Sequence, residues 1–588
     1  MVWAAARRWT MAWAVLLVLQ GGLPVATVYL TRAVVDSLVS VAGTGGHWQT
    51  LQPAALLVGA MVAVLLLMEG LRSLADWVRA CQTELVQDHL YALIHDQATT
   101  LDIGFYDTPE YYDRLHRARI DALNRPVLLL GNLGAVLQHS LTLATMATVL
   151  ITYAPWLPAV LIGSSLPALW VVAQFTVRFH QWRLRNTINE RRTRYYDWLL
   201  TWRDAAMELR LLALGQHYRE LFQGLRGRLR TERLGLARGQ VVAEMAAGGL
   251  AVVVTALAMV WMAWRTTQGS ASLGDVALFY QVFTQGQRLM RSLLENVGDV
   301  YRNILFLENL FEFLALQPQV LEPSSPVQLP AGLPPGIRFE HVTFRYPSSD
   351  RPALDDFCVE IPAGGIVALV GANGAGKSTL IRLLCRFYDP DSGRITLEGL
   401  DLRQLSLADL RRHLTVLFQE PMHYQTTAAE NIALGDLAAK PAMRVIIAAA
   451  HAVGAEAPIA RLPQGYETLL GRWFGGVDLS VGEWQRIALA RAFLRHATIL
   501  ILDEPTSAMD SWAEADWLAR LRRLAAGRTT LIITHRLTTA MQADVIYVME
   551  AGRVVEAGTH AALLALNGRY SRSWMTQVRA GMPDHASA

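Results

Sequence analysis

Four stretches of this chain, Met11–Leu30, Val127–Tyr153, Leu157–Val177 and Met245–Trp264, contain no Asp, Glu, Lys or Arg. Each is about 20 residues or longer, enough for a helix to cross ~30 Å of hydrocarbon. Lipid offers no partner for backbone N–H and C=O groups, so runs of this kind fold as helices. Pro53–Met68 is shorter and extends into a fifth span. A sixth starts at Val276, and its apolar part stops at Gln287, before Arg288 and Arg291. Arg7 and Arg8 precede the first run as in a secretory or twin-arginine signal. That run is too long for one and further spans follow, so it reads as a retained first helix. Residues 1–316 are therefore expected to form an all-α transmembrane domain of six helices.

Charge sets the expected orientation. The loops near Val41–Thr50 and Ala154–Pro158 carry no Lys or Arg, and the one near Thr266–Gly274 has only Arg265 at its edge. Arg72–Arg125 and Arg178–Arg238 are rich in arginine. The positive-inside rule puts those long segments and both termini in the cytoplasm. As helices rising 1.5 Å per residue, they would reach tens of ångströms past the bilayer.

The chain is 52% hydrophobic, and the excess lies before about residue 310. A net charge of +3 gives no basis for nucleic-acid binding, and Cys81, Cys358 and Cys385 form neither a metal spacing nor a disulfide framework. Residues 317–335 hold six prolines and read as a linker. From 336 to 580, short apolar strands alternate with helical stretches, as in an α/β domain with a mainly parallel sheet. Residues 581–588 read as a disordered tail.

Only two lysines occur, Lys440 and Lys377, the latter in Gly371-Ala-Asn-Gly-Ala-Gly-Lys-Ser-Thr379. The run fits the phosphate-binding loop G-x-x-x-x-G-K-[ST], whose glycines bare backbone N–H groups to phosphates. Ile366–Val370 before it reads as a buried strand and Ser378–Phe387 after it as a helix, so phosphates would face a helix N-terminus. Gly371, Asn373, Gly374, Gly376, Lys377, Ser378 and Thr379 are the candidate nucleotide-binding residues. Downstream, Thr498–Asp503 is an apolar strand ending in a carboxylate, followed by Glu504. Asp503 suits a hold on Mg²⁺ together with the Ser378 hydroxyl. Glu504 is placed to polarise an attacking water as general base.

Between these motifs lies Leu479-Ser-Val-Gly-Glu-Trp-Gln-Arg486. Here the chain resembles the ATP-binding cassette (ABC) transporter superfamily, whose signature is Leu-Ser-Gly-Gly-Gln. Other family elements follow the same order. Tyr346 resembles the aromatic that stacks on adenine, and Gln419 the loop glutamine that senses Mg²⁺ and the membrane domain. Asp510, in Ser507–Asp510, resembles the D-loop aspartate, and His535 the switch histidine of the γ-phosphate. The resemblance implies a P-loop NTPase cassette using ATP and Mg²⁺, with catalytic roles for Glu504, His535 and Gln419. Six spans before one cassette look like an exporter-type half-transporter. Phe105–Asp113 and Glu208–Gly215 look like its first and second coupling segments.

Two departures stand out. Val481 replaces the first signature glycine and Glu483 the glutamine, while Ser480 and Gly482 remain. Glu483 is expected to point away from the nucleotide. Arg472 and Trp473 stand where the exporter type carries a glutamate. The resemblance implies head-to-tail dimers in which each signature closes the other chain's ATP. Retention of Glu504, Gln419 and His535 favours a homodimer, with a heterodimer as the alternative. An amphipathic drug, peptide or lipid is the expected substrate. A lipid flippase would share every motif, and a membrane-tethered ATPase that moves nothing is a third class. Gln281 and Gln285 share a face and either line a cavity or bond between helices. Arg288 and Arg291 either snorkel to the inner interface or attract an anionic group.

Overall fold

The structure, a computed structural model, describes residues 1–42, 48–108, 115, 125–330, 334–347, 349–507 and 509–581. The chain divides into two compact units. One comprises Met1–Thr99 and Asp113–Leu316, the other Thr100–Tyr112 and Gln317–Ala588.

The regular structure of the first unit is helical: α1 Val2–Ala42, α2 Trp48–Thr100, α3 Arg125–Tyr153, α4 Leu157–Thr201, α5 Arg203–Leu211, α6 Leu214–Thr267 and α7 Leu273–Leu314. Five of these, α1, α2, α3, α4 and α6, are long and apolar enough to cross a membrane. The sixth expected span lies in α7. Asp275, Arg288 and Arg291 dilute its sequence, yet Leu278, Phe279, Val282 and Phe283 are fully buried along one face. These side chains join Met146 and Leu150 of α3 and Met262 of α6 in one core. α7 thus buries its apolar face in protein, which explains its weak hydropathy signal.

Close helix approach uses small residues, as expected where lipid gives no hydrophobic drive for association. At Gly134 of α3, an added Cβ would meet the Trp13 ring of α1 at 2.2 Å. Polar side chains tie the same bundle. Gln287 of α7 donates to Ser164 of α4 at 3.2 Å and accepts from Thr255 of α6 at 3.1 Å. Arg291 lies 3.8 Å from Glu244 of α6, so an intramolecular ion pair engages it. Gln281 and Gln285 are half-buried.

The second expected coupling segment, Glu208–Gly215, spans the end of α5 and the start of α6, joined through Ala213 in the left-handed region. Met207 and Leu211 there are 80% and 84% exposed. Of the first, Phe105–Asp113, positions past Thr108 lie outside the described residues, as does the tail from 582.

The second unit is an α/β cassette. Its strands are β1 Ile337–Phe344, β2 Leu354–Ile361, β3 Ile366–Gly371, β4 Ser392–Leu397, β5 Leu400–Asp401, β6 Leu414–Leu417, β7 Ile499–Asp503, β8 Thr529–Ile533, β9 Val545–Glu550 and β10 Arg553–Gly558. An antiparallel sheet runs β2-β1-β4-β5 and a second sheet β10-β9-β3-β8-β7-β6. In the second, β9, β3, β8, β7 and β6 pair in parallel. Alternate β3 residues enter different cores: Ala368 and Val370 one, Val367 and Leu369 the other. Burial on both faces is what an all-apolar parallel strand requires. The two helices that matter below are α8 Lys377–Leu384, directly after β3, and α9 Val481–Leu494.

Candidate functional site

The parallel sheet brings the motifs together at its carboxyl edge, where open α/β sheets bind ligands. Asp503 pairs with Ile533, and Leu369 pairs with Ile533, so the ends of β7, β8 and β3 are adjacent. The phosphate loop leaves β3, Asp503 and Glu504 end β7, and His535 follows β8.

Loop geometry depends on glycine at particular positions. Gly376 has φ +101 and its Cβ would lie 2.5 Å from Ala353 O; at Gly371 a Cβ would lie 2.4 Å from Met549 O. Gly374 also has positive φ. Lys377 opens α8 and is buried. Its Nζ donates to the carbonyls of Gly371 and Ala372 at 2.8 and 2.9 Å. Burial pulls its pKa below the usual lysine value, opposed by the Glu504 and Asp503 carboxylates.

Ser378 Oγ donates to Asp503 Oδ2 at 3.5 Å. Burial, then the neighbouring Glu504 carboxylate, push Asp503 up to about 6. Such a buried, poorly neutralised carboxylate beside a hydroxyl suits a hard divalent cation. Glu504 has φ 49, its N–H donates to Ile533 O at 2.8 Å, and its Oε2 lies 3.0 Å from His535 Nδ1. The left-handed backbone turns Glu504 towards β8 and its histidine. Positive φ in a non-glycine residue stores strain, a feature of functional positions.

Tyr346 O–H lies 3.1 Å from Thr379 Oγ1, and the Arg382 guanidinium lies 5.5 Å from the centre of its ring. Asp107, on the turn after Ile103–Tyr106, accepts from Arg382 at 2.8 Å and Tyr388 O–H at 2.5 Å. Gly104 fits beneath Tyr388, where a Cβ would stand 2.9 Å from the ring.

Gln419 lines a cavity of about 580 Å³ with Met422, His423, Val481, Gln485 and Ser507. Gln485 was not singled out from the sequence. It is buried, donates to Glu504 O at 3.0 Å and to Ser507 Oγ at 3.3 Å, and so ties α9 to the strand-end carboxylates. Only its place within the signature run marked it.

At the signature, Ser480 caps α9. Its Oγ accepts from Glu483 N at 3.3 Å, while Glu483 Oε2 accepts Ser480 N at 3.0 Å and Ser480 O–H at 2.9 Å. The Glu483 carboxylate folds back onto Ser480 of its own chain. The reciprocal bonds satisfy two otherwise orphaned helix-start donors. The Ser480 N–H lowers the Glu483 pKa, helped by its hydroxyl and Arg461. Val481 is 70% exposed. Gly482 follows in the first turn, and Asp510 accepts from Ala513 N at 2.7 Å as the cap of the helix beginning at Ser511. The Arg472 that replaces the expected glutamate pairs with Asp478 at 3.1 Å, while Trp473 beside it is 81% exposed.

Comparison with known proteins gives the same picture. Residues 354–507 match the family described as "ABC transporter". The chain is 42% identical over 328 residues to an ATP-dependent lipid A-core flippase of Aromatoleum aromaticum, covering 56% of this chain and 54% of that protein. It is 40% identical over 321 residues to one of Pseudomonas fluorescens, covering 55% and 52%. The chain thus spans about half the length of the curated relatives it matches. A bacterial Atm1-family ABC exporter solved with ATP bound superposes with a TM-score of 0.82 and 26% identity over 99% of both chains. The cassette thus matches the ABC transporter family over residues 354–507, and helical unit and cassette together have the fold and build of an exporter-type half-transporter.

Proposed function

We propose that this chain is an ATP-driven translocase of the cytoplasmic membrane that exports an amphipathic substrate, working as a dimer with two ATP sites between its cassettes. The observation that carries the reading is the meeting of Lys377, Ser378, Asp503, Glu504 and His535 at one sheet edge. The N–H groups of residues 371–379 hold the phosphates, and Lys377 exchanges its two carbonyl acceptors for phosphate oxygens. Tyr346 stacks on adenine. Glu504 takes a proton from the attacking water. His535 holds Glu504 and contacts the γ-phosphate. Ser378, Asp503 and Gln419 supply oxygens that fit Mg²⁺. Bound there, the ion would supply positive charge to offset the charge that develops on the phosphate oxygens.

Ser480, Gly482 and Asp510 serve the partner chain's nucleotide. In support, Ser480 stands at an exposed helix start, where among the described residues its side chain bonds Glu483 alone. Two copies of this chain suffice, since each keeps Glu504, Gln419 and His535. The termini and the arginine-rich extensions face the cytoplasm.

A lipid is the second reading for the cargo, favoured by relatives described as lipid A-core flippases. Reconstitution decides between cargoes. Proteoliposomes holding the purified chain should move a labelled amphiphile only with ATP. Labelled lipid in one assay and an amphipathic drug in another separate the two readings. ATP hydrolysis indifferent to every amphiphile, with no movement of any, would leave a membrane-tethered ATPase and end the transport reading. A monomer inert until a second half-transporter is supplied would establish a heterodimer.

A further inference from the structure

Just past the uncharged run Leu157–Val177, helices α4 and α6 part around a cavity of about 660 Å³. That volume lies within the range of small-molecule sites, roughly 300–1,000 Å³. Arg178, Trp182 and Arg185 line it from α4 at helical spacing, and Arg228 and Glu232 line it from α6. Glu232 is fixed from both sides. Its Oε2 accepts Trp182 Nε1 at 2.9 Å and Asn186 Nδ2 at 3.1 Å, and its Oε1 meets Arg228 Nε at 3.1 Å. Asn186 is buried. The wall is therefore a built polar surface that joins two helices.

The other two arginines are differently placed. Arg178 rests over the Phe175 ring at 5.2 Å. Among the described residues neither Arg178 nor Arg185 has a carboxylate partner. Arg178 directly follows the last residue of the apolar run. At 1.5 Å per residue, Arg185 lies roughly 10 Å further from the hydrocarbon. With Leu157–Val177 in the hydrocarbon, the two guanidinium groups would stand at the depth of the headgroup layer. An arginine fork matches phosphate oxygens in pairs. A fixed carboxylate among them disfavours a bare anion and accepts hydroxyl donors instead.

We propose that the cavity between α4 and α6 binds the headgroup of a cytoplasmic-leaflet lipid bearing a phosphate and free hydroxyls, with Arg178 and Arg185 on the phosphate and Glu232 on a hydroxyl. The proposal deepens the amphipathic-substrate reading and rests on it for the side of the membrane that the cavity faces. The competing account is two arginines snorkelling to the interface, which would attract any anionic surface without regard to helix face.

The test uses the full chain purified in neutral detergent and titrated with short-chain phosphatidylglycerol, followed by native mass spectrometry. Phosphatidylcholine is the zwitterionic comparator. Arg178→Gln with Arg185→Gln should weaken phosphatidylglycerol binding on the order of 10- to 100-fold, as expected for lost charge-assisted bonds. Arg183→Gln, at the same depth but off the cavity face, should leave it intact. If the double variant misfolds, Arg185→Gln alone is read, with roughly tenfold weakening expected. Unchanged binding in the arginine variants overturns the site. So does equal loss in Arg183→Gln, or displacement by inorganic phosphate at the concentration of the lipid. Basal ATP hydrolysis of Arg183→Gln on the same samples should match wild type. Its absence from the wild-type chain would count against the translocase reading, whereas lipid affinity reports on the cavity.

Discussion

Asp107 Oδ2 and Arg382 Nη1 meet at 2.8 Å, although 275 residues separate them in sequence. Arg382 belongs to α8, whose first residue is Lys377, and its guanidinium also lies over the Tyr346 ring. One arginine thus links a short turn after α2 to the aromatic proposed for adenine and to the phosphate-loop helix. Tyr388 strengthens the joint. Burial, then the bond to Asp107, raise the Tyr388 pKa, so the phenol stays a donor.

Asp107→Asn should loosen that joint. The ion pair is partly exposed and contributes about 0–1 kcal/mol, whereas a hydrogen bond to a charged group contributes about 1.5–3 kcal/mol. Basal ATP hydrolysis should stay within severalfold of wild type. Stimulation of hydrolysis by substrate should fall sharply. Full stimulation in Asp107→Asn, measured in proteoliposomes, would show that coupling does not run through this turn.

Glu504 and His535 hold each other at 3.0 Å. Glu504→Gln should preserve ATP binding and cut turnover by about 10²–10⁴-fold, the range for loss of a general base. It should also accumulate a nucleotide-bound closed dimer, visible by size and by trapped nucleotide. Near-normal turnover would remove Glu504 from the chemistry.

Much of this site was legible because its motifs are local. Phosphate loop, strand-end carboxylates and switch histidine each sit within a few residues of a strand end, and a parallel sheet aligns strand ends. The Asp107–Arg382 joint was not legible, because nothing local in either segment names the other. The fold-back of Glu483 could have been read: Ser480-Val-Gly-Glu483 is the Ser-x-x-Glu pattern of a capping box. In α7 the apolar signal was weak because protein rather than lipid covers its buried face. Tyr111 and Tyr112 of the expected first coupling segment lie outside the described residues.

The cap has a functional consequence, because the Ser480 hydroxyl proposed for the partner's nucleotide is already donated to Glu483. Glu483→Gln weakens that acceptor and should leave turnover equal to wild type or raise it. Ser480→Ala should slow hydrolysis strongly, and Val481→Gly should leave it within severalfold. The pH behaviour follows from the sign of the shift. Glu483 sits below the usual glutamate value, so its capping contribution is fully present above that value and is lost as pH falls through the lowered one. Between pH ~6 and ~8 wild type and Glu483→Gln should therefore show parallel profiles. Profiles that diverge in that window would show that Glu483 titrates where the cap does not allow it.

The ends of α1, α3 and α7 remote from the arginine-rich extensions are joined by Asp275. It accepts Arg32 Nε at 2.9 Å and Tyr153 O–H at 2.7 Å, and its backbone neighbour Gly274 donates to Asp36 at 2.8 Å. Asp275 also closes the capping box that starts α7 with Ser272. Removing one partner of a fully buried pair costs ~3–5 kcal/mol. Arg32 is 41% exposed, so solvent screening reduces the expected cost of Asp275→Asn to ~1–2 kcal/mol. Thermal unfolding in detergent should register that loss. A cycle with Arg32→Met should show coupling, the double variant losing less than the sum of the single ones. If the joint also holds α1 against α7 in the resting transporter, Asp275→Asn should raise basal ATP hydrolysis and shrink its stimulation by substrate. Additivity within ~0.5 kcal/mol, with unchanged basal hydrolysis, would mean that the two side chains touch without restraining the helices.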